Sequence, residues 1–227
     1  MRPLILLCLA AVAFSGFAAP TIFWASDPVG PDDTVLVCGD GFGEAPVVEL
    51  RGFERLLSPG SLDPSGPADT IRPEVIHPSD QTLKFVIPAD LAGPVYAFRV
   101  LGPDGPSAPW LLNLPTVYWV QGDQGTSASP GGWVRIFGRC ISRPPAEPKV
   151  LLRGDGPGKP LEVAPTHSQW DITAEIPADT QPGEYALGLD SGYGPAVGGE
   201  ELLRITVRVP EVWPQQVFNV MDFGASG

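Results

Sequence analysis

An internal repeat constrains the fold of this chain more than any other feature of its sequence. Four short landmarks occur in the same order in both halves, at offsets of 89 to 102 residues. The paired landmarks are residues 20–24 and 115–119, 34–39 and 133–138, 48–52 and 150–154, and 85–90 and 174–179. The repeat predicts two copies of one structural unit, which we name module 1 (residues 19–114) and module 2 (residues 115–210).

The local composition predicts that both modules are built from β-strands. The 227-residue chain contains 28 prolines and 27 glycines, which disfavour helices. They separate short apolar runs, such as residues 34–37 and 83–87, in which side chains alternate with period two. We expect an all-β protein in which each module is an immunoglobulin-like sandwich of about seven short strands. Residues 53–73 are rich in Ser, Pro, Gly and Asp and are expected to form an exposed loop.

The beginning of module 1 resembles the IPT/TIG family of immunoglobulin-like domains. The matching residues are Pro20, Ile22, Pro28, Gly30, Val35, Val37, Gly39, Gly41 and Phe42. Module 2 departs from this pattern at residues 138–141. The resemblance implies a spacer, a sugar-binding accessory or a protein-contact module, and so it leaves the function open.

The first 18 residues are typical of a secretory signal peptide. Arg2 precedes an uncharged apolar run over residues 4–14, and Gly16 and Ala18 are small residues suited to a cleavage site. The run is shorter than the roughly 20 residues that span a bilayer. We expect cleavage after Ala18 and a secreted protein (extracellular, periplasmic or at the cell surface), with no membrane attachment once the signal is removed.

The C-terminal residues 217–227 read V-F-N-V-M-D-F-G-A-S-G. This run resembles the opening strand of secreted parallel β-helix enzymes of the pectate lyase, rhamnogalacturonase and polygalacturonase superfamily. The matching residues are Val217, Phe218, Asn219, Val220, Asp222, Phe223, Gly224 and Ala225. The resemblance implies the first strand of a truncated right-handed parallel β-helix, which would follow a short linker at residues 211–216.

The same resemblance implies a function for the two modules. They would form the non-catalytic N-terminal accessory region of a polysaccharide-degrading enzyme, either a lyase or a glycoside hydrolase, with a pectin-type substrate. Their partner in cis would be the β-helix domain, and the chain as given would itself be inactive. Two alternatives stay open: a free-standing carbohydrate-binding protein, and a structural or adhesion spacer at the cell surface.

The charge balance argues against nucleic-acid binding. The chain has 26 acidic and 14 basic residues, for a net charge of −12. An acidic surface repels phosphate backbones, so we expect no nucleic-acid partner. It is also a poor general surface for polyanions such as pectin.

Residues suited to catalysis or metal binding do not form a recognisable pattern. His77 and His167 are the only histidines, both beside turn residues, and we expect each to be either solvent-exposed or in a loop. Acidic pairs such as residues 32–33 and 200–201 are typical of a solvated surface. We therefore expect no catalytic residue, metal site or cofactor in this chain. Cys8 lies in the signal, and Cys38 and Cys140 are compatible with either a disulfide or two buried thiols.

Aromatic residues are the best functional candidates. Phe23-Trp24 and Tyr118-Trp119 occupy equivalent repeat positions. Because successive side chains of a strand point to opposite faces, we expect one member of each pair in the core. The aromatic residues without a counterpart in the other module are less explained by the repeat. They are the candidate carbohydrate-binding residues, with core or interface packing as the alternative: Trp110, Trp133, Trp170 and Tyr193.

Overall fold

The computed structural model describes residues 19–55, 70–196, 203–210 and 218–225. The signal-like segment, most of the long connection in module 1, the linker and Val217 lie outside the described residues. The chain divides into two compact units: the first ends at Asn113, and the second begins at Leu114 and also includes Arg55. The prediction of an all-β protein is confirmed, and each unit is described separately below.

The described residues of module 1 form eight strands, two of them with only two residues. Their bounds are β1 (Thr21–Ala25), β2 (Thr34–Asp40), β3 (Val47–Phe53), β4 (Val75–Ile76), β5 (Thr82–Val86), β6 (Val95–Gly102), β7 (Gly105–Pro106) and β8 (Trp110–Leu112). One sheet has the order β1-β2-β5-β4, and the other has the order β3-β6-β7 with β8 also paired to β6. All these pairs are antiparallel.

The two sheets of module 1 pack face to face around one core. Alternate residues of both sheets are buried there, and the Phe85 and Phe98 rings meet with their centroids 5.2 Å apart. The buried residues of this core include Val35, Val37, Leu83, Phe85, Val48, Leu50, Tyr96, Phe98 and Val100. This period of two is the physical basis of the alternation in the sequence.

The buried side chain of Asn113 ties the end of module 1 to two loops. Its Oδ1 accepts a hydrogen bond from the Val29 amide, and its Nδ2 donates to the carbonyl oxygens of Val29 and Pro94. Its own amide donates to Asp27. The buried amide is thus fully used, as burial of a polar group requires.

The long connection in module 1 is not entirely an exposed loop. Ile71 forms a backbone bridge with Leu50 and packs against the core. The next residue, Arg72, donates from Nη2 to Oε1 of Glu49 at 2.8 Å, while Arg99 donates from Nε to Oε2 at 2.7 Å. These interactions hold residues 71 and 72 beside strand β3, which corrects the loop prediction for this end of residues 53–73.

Eight strands are also found in the part of module 2 that the structure describes. Their bounds are β9 (Thr116–Gly122), β10 (Ser127–Ala128), β11 (Trp133–Arg139), β12 (Lys149–Arg153), β13 (Lys159–Leu161), β14 (Asp171–Glu175), β15 (Gly183–Asp190) and β16 (Arg204–Val207). The sheets have the orders β14-β11-β9 and β10-β16-β15-β12-β13. The β10–β16 pair is parallel, and the other pairs are antiparallel.

Module 2 repeats the two-layer packing of module 1. Its core takes alternate side chains from both sheets, including Val134, Ile136, Ile172, Ala174, Val150, Leu152, Leu187, Leu189, Ile205 and Val207. The side chains between these positions point away from the core. On the three-stranded sheet they form the surface described in the next section.

The C-terminal segment differs from its predicted structure. Residues Val220–Phe223 form a 3₁₀ helix with no buried residue, whereas the sequence predicted the first strand of a β-helix. Asn219 Oδ1 accepts from the Met221 amide at the start of the turn, and Gly224 ends it with a left-handed φ of 85°. Among the described residues no strand pairs with this segment, so local capping determines its conformation.

Candidate functional site: an aromatic sheet face in module 2

Each module has a β-bulge at the same place in its first strand. In β1 the pairing with β2 shifts between Ile22 and Trp24, and in β9 the pairing with β11 shifts between Val117 and Trp119. A bulge places an extra residue in one strand, which breaks the strict alternation of side chains between the two faces.

The bulges explain why one aromatic prediction was wrong. Both members of each aromatic pair are exposed: Phe23 by 64%, Trp24 by 50%, Tyr118 by 46% and Trp119 by 53%. The sequence predicted that one member would enter the core, because it assumed a regular strand. The extra residue of the bulge instead leaves two consecutive aromatic side chains outside.

In module 2 the exposed Trp119 lies beside a second aromatic ring. Trp119 pairs with Phe137 of β11, and their rings stack at a centroid distance of 4.7 Å with an interplanar angle of 26°. The guanidinium of Arg135 lies over the same Phe137 ring, 5.2 Å from its centroid. The phenyl ring therefore supports both an indole and a cation on the outer face of the sheet.

A carboxylate completes this surface. Asp171 of β14 lies opposite Phe137 and accepts from Arg135 Nη2 at 2.6 Å and from Nε at 3.1 Å. Hydrogen bonding from the Ser168 hydroxyl, with a further contribution from Arg135, holds the pKa of Asp171 below its usual value. The carboxylate is therefore ionised over the physiological pH range, and the arginine is held in one orientation.

We name this surface the aromatic face. Its central residues are Tyr118, Trp119, Arg135, Phe137 and Asp171. Two residues before Phe137 on the same strand, Arg135 lies between Gln121 and Thr173 of the neighbouring strands. A row of polar side chains therefore lies next to the aromatic pair. The face thus offers flat apolar surface next to hydrogen-bonding groups.

Two of the predicted site residues, Trp133 and Trp170, lie near the aromatic face. Trp133 is 36% exposed at the start of β11, on the same side as Arg135 and Phe137. Four residues of strand place it about 13 Å from Phe137. Trp170 is 45% exposed and accepts a hydrogen bond from the Gly138 amide through its carbonyl oxygen, one residue beyond the Phe137–Asp171 pair.

The other two predicted site residues lie elsewhere. Trp110 is half-buried on β8 and packs against the core of module 1. Tyr193 is half-buried in a turn of module 2, where its amide donates to the Ser191 hydroxyl. Neither belongs to the aromatic face.

Trp119 and Phe137, which are central to the face, are not among the residues that the sequence predicted for the site. The repeat accounts for Trp119 as a structural residue, and no sequence pattern distinguishes Phe137. A usable signal was present, since both modules carry two adjacent aromatic residues where a regular sandwich strand has room for only one on its inner face.

His167 lies in a loop, as predicted, and its side chain is only 13% exposed. The Ser142 hydroxyl lies 2.7 Å from His167 Nδ1, and Glu147 Oε2 lies 3.3 Å from Nε2. This arrangement has the composition of a hydrolytic triad, but Ser142 is 1% exposed and inaccessible to a substrate, so the three residues connect loops. His77 is exposed, as predicted.

Cys38, which is half-buried, and Cys140, which is buried, are not joined by a disulfide. Within the described ranges, no three His, Cys, Asp or Glu side chains gather closely enough to hold a metal ion. No helix in the described part of the chain is long and apolar enough to cross a membrane.

Neither the models of known protein families nor the curated proteins match this sequence. Solved structures do show similarity. One is a protein crystallised with a xylogluco-oligosaccharide, at 16% identity and a TM-score of 0.46, covering 80% of this chain and 40% of that protein. Another is the SGBP-B protein of a Bacteroides ovatus mixed-linkage glucan utilization locus, in complex with a heptasaccharide. It has 17% identity and a TM-score of 0.34, and the match covers 84% of this chain and 45% of that protein.

The titin domains Z1Z2, solved with telethonin, are a third similar structure. The identity is 17%, the TM-score is 0.26, and the match covers 85% of this chain and 97% of the titin chain. This chain thus spans less than half the length of the two glycan-bound proteins. Because the overall similarity is low, the function is inferred below from the side chains of the aromatic face.

Proposed function

We propose that module 2 binds a carbohydrate through its aromatic face, outside the cell. The observation that supports this most strongly is the stack of Trp119 on Phe137 with the Arg135–Asp171 pair beside it. A sugar ring has an apolar face of C–H groups and a rim of hydroxyl groups. The aromatic face has the complementary chemistry, with an exposed indole for the C–H groups and charged groups for the hydroxyls.

The geometry of the face favours a binding role over simple surface exposure. An exposed tryptophan side chain loses rotamer freedom when it binds, and the stack on Phe137 has already restricted it. Likewise, Asp171 holds Arg135 in place before any ligand arrives. A preorganised surface of this kind reduces the entropic cost of binding.

The cellular location is part of the proposal. The signal-like residues 1–18 support secretion, and the acidic composition suits a soluble extracellular protein. A polysaccharide is the partner that such a surface would meet outside the cell. No catalytic step is proposed for the two modules.

Substitution of Trp119 tests the proposal directly. Trp119→Ala removes the exposed indole and is expected to weaken oligosaccharide binding by about 2 kcal/mol, or about 30-fold. Isothermal titration calorimetry would measure this, with the xyloglucan and mixed-linkage glucan oligosaccharides of the two similar structures as first probes. Binding that survives in Trp119→Ala would contradict the proposal.

Module 1 supplies a matched control. Trp24→Ala removes the equivalent exposed indole from the equivalent bulge, and it should leave the affinity within about twofold. If Trp24→Ala weakens binding as much as Trp119→Ala does, the specific surroundings of Trp119 are not the cause. The unfolding temperature of both variants shows whether each remains folded.

A second candidate function is that of an accessory region of a polysaccharide-degrading enzyme. It is supported by the sequence of residues 217–225 alone, because the described part of this segment forms a 3₁₀ helix. The test is whether the reading frame beyond the Gly227 codon encodes parallel β-helix repeats. Carbohydrate binding by module 2 is compatible with either result.

A further inference from the structure

The second sheet of module 2 carries two exposed arginines on its outer face. Arg153 of β12 pairs with Ala186 of β15, and Ala186 in turn pairs with Arg204 of β16. The three residues therefore lie side by side, with an arginine on each side of a small residue. Two strand spacings separate the arginine backbones by roughly 9.6 Å.

Neither arginine is neutralised within the described part of the chain. The arginines of other clusters have carboxylate partners there: Arg72 and Arg99 bind Glu49, and Arg135 binds Asp171. No such ion pair is found among the described residues for Arg153 or Arg204. In a chain with a net charge of −12, two adjacent unpaired cations are an unusual local concentration of positive charge.

The arginines line a groove of about 320 Å³. Its floor is the sheet surface at Ala186 and Gly188, and Pro195, Ala196 and Leu203 contribute to its walls. The small floor residues leave room between the two guanidinium groups. A groove of this size holds a group of one or two sugar rings rather than a folded domain.

Gly188 holds the Arg153 side chain against the floor. A Cβ added at this position would lie 3.1 Å from Arg153 Nη2 and 3.2 Å from its Cζ. The guanidinium thus lies close to the glycine backbone, which limits its freedom before a ligand binds. A planar guanidinium held in this way can donate two parallel hydrogen bonds to a carboxylate.

We propose that this groove, the arginine groove, binds the carboxylate of an acidic sugar. The alternative of an acidic peptide is less suited to the site. Peptides that bind to sheets add a strand at a free edge, whereas β12, β15 and β16 are adjacent in the sheet and β15 is paired on both sides. The groove lies on a sheet face, where the side chains of Arg153 and Arg204 are the available donors.

This site is separate from the aromatic face, which lies on the other sheet of the same sandwich. The aromatic face combines an indole with a neutralised arginine, while the arginine groove combines two unpaired cations with a small floor. The proposal therefore goes beyond the proposed function, and each site has its own variants.

Binding of a matched pair of sugars tests the proposal. The probes are a glucuronate-containing tetrasaccharide and the same tetrasaccharide with its carboxylates reduced to hydroxymethyl groups. The complete protein should bind the acidic form at least about tenfold more tightly, and this preference should fall as salt is raised. Arg153→Gln and Arg204→Gln should each reduce the affinity for the acidic form about tenfold or more.

Lys149→Gln is the control, because it removes one positive charge from the same strand without lining the groove. It should change the affinity by less than about twofold. A second variant, Gly188→Ala, displaces Arg153 and should weaken binding while all charges stay. Circular dichroism melting curves would show that these variants are folded.

Several results would overturn the proposal. They are equal affinity for the acidic and reduced sugars, full affinity in Arg153→Gln and Arg204→Gln, or an equal loss in Lys149→Gln. Competition by inorganic phosphate at the same concentration as the acidic sugar would show a general anion site, and equal affinity for an acidic peptide would show that the sugar is not selected. Glu200 and Glu201 are acidic residues between Ala196 and Leu203 in the sequence. If the wild type does not bind the acidic sugar, the double variant Glu200→Gln/Glu201→Gln is measured as well, and absence of binding in both proteins overturns the proposal. In Trp119→Ala the ratio of the affinities for the acidic and the reduced sugar should be the same as in the wild type, whatever happens to the affinities themselves, which separates a failure here from a failure of the aromatic face.

Discussion

The two modules have the same bulge in the same strand, but they surround its tryptophan with different side chains. In module 1, Trp24 lies opposite Cys38, which pairs on its other side with Thr82. In module 2, Trp119 lies opposite Phe137, which pairs on its other side with Asp171. The backbone and the indole are shared, and the stacked ring and the carboxylate occur only in module 2.

The positions two residues earlier show the same contrast. Leu36 and Lys84 form the pair in module 1, and Arg135 and Thr173 form the equivalent pair in module 2. Arg135 lies over the Phe137 ring and binds Asp171, and neither Leu36 nor Lys84 has a guanidinium that could do the same. The comparison teaches that the bulge makes an aromatic residue available, while its neighbours decide whether the surface is organised for a ligand.

The largest expected effect comes from substitutions that disturb the bulge, which both modules have. Gly39 and Gly138 face the bulges, and a Cβ there would lie 2.1 Å from the Thr21 carbonyl oxygen or 2.3 Å from the Thr116 carbonyl oxygen. Gly39→Ala and Gly138→Ala should each reduce the free energy of unfolding by about 3 kcal/mol or more, since backbone atoms must move. Chemical denaturation would measure the free energy of unfolding. If either variant is as stable as the wild type, the glycine does not lie as close to the facing carbonyl oxygen as the structure shows. Gly156→Ala is the control, because nothing lies within 4 Å of its added Cβ.

Each module has one carboxylate whose titration should make stability depend on pH: Glu49 in module 1 and Asp171 in module 2. The Arg72 hydrogen bond lowers the pKa of Glu49, and the Ser168 hydrogen bond lowers that of Asp171. A lowered pKa means that the stabilisation is present above the unfolded-state values of about 4.5 and 3.8 and is lost as the pH falls through the folded-state values.

Glu49→Gln should cost about 2 kcal/mol at neutral pH, because the glutamate side chain is only 10% exposed and Arg99 would lose its charged partner. Asp171→Asn should cost about 1 kcal/mol. Both variants should show a smaller loss of stability on acidification than the wild type does. An unchanged pH profile in denaturation measurements would exclude these carboxylates as its source.

The smallest expected effect concerns the ring beneath Trp119. Phe137→Cys gives module 2 the residue that module 1 has at the equivalent position, and it should weaken oligosaccharide binding by about 1 kcal/mol, or about fivefold. The reciprocal change, Cys38→Phe, should not create a comparable site, because Leu36 and Thr82 supply neither the arginine nor the carboxylate. Equal affinity of Phe137→Cys and wild type in calorimetry would show that the stack is not needed.

Much of the fold could be predicted because its determinants are local. The apolar alternation in residues 34–37 and 83–87 corresponds to strands β2 and β5, and most prolines of the described residues lie between strands. The β-helix strand predicted at residues 217–227 is not confirmed, since residues 220–223 form a 3₁₀ helix, and the reason is again local. The pattern of Val220 and its neighbours also suits a capped 3₁₀ turn, and a strand needs a partner to satisfy its backbone groups.

The candidate site was predictable only in part. Trp133 and Trp170 were selected and lie exposed near the aromatic face, whereas Trp110 packs against a core. Trp119 was not selected, because the alternation of a regular strand assigns one of two adjacent residues to the interior. That rule does not hold at a bulge.

The amino-acid order alone was enough to indicate two β-rich modules, because turn residues and apolar periodicity act between near neighbours in the chain. Only the tertiary structure shows the bulge and the stack of Trp119 on Phe137. It also places Arg153 and Arg204 on either side of Ala186. Each depends on the register between strands that are distant in sequence, and a shift of one residue reverses which side chains face outward.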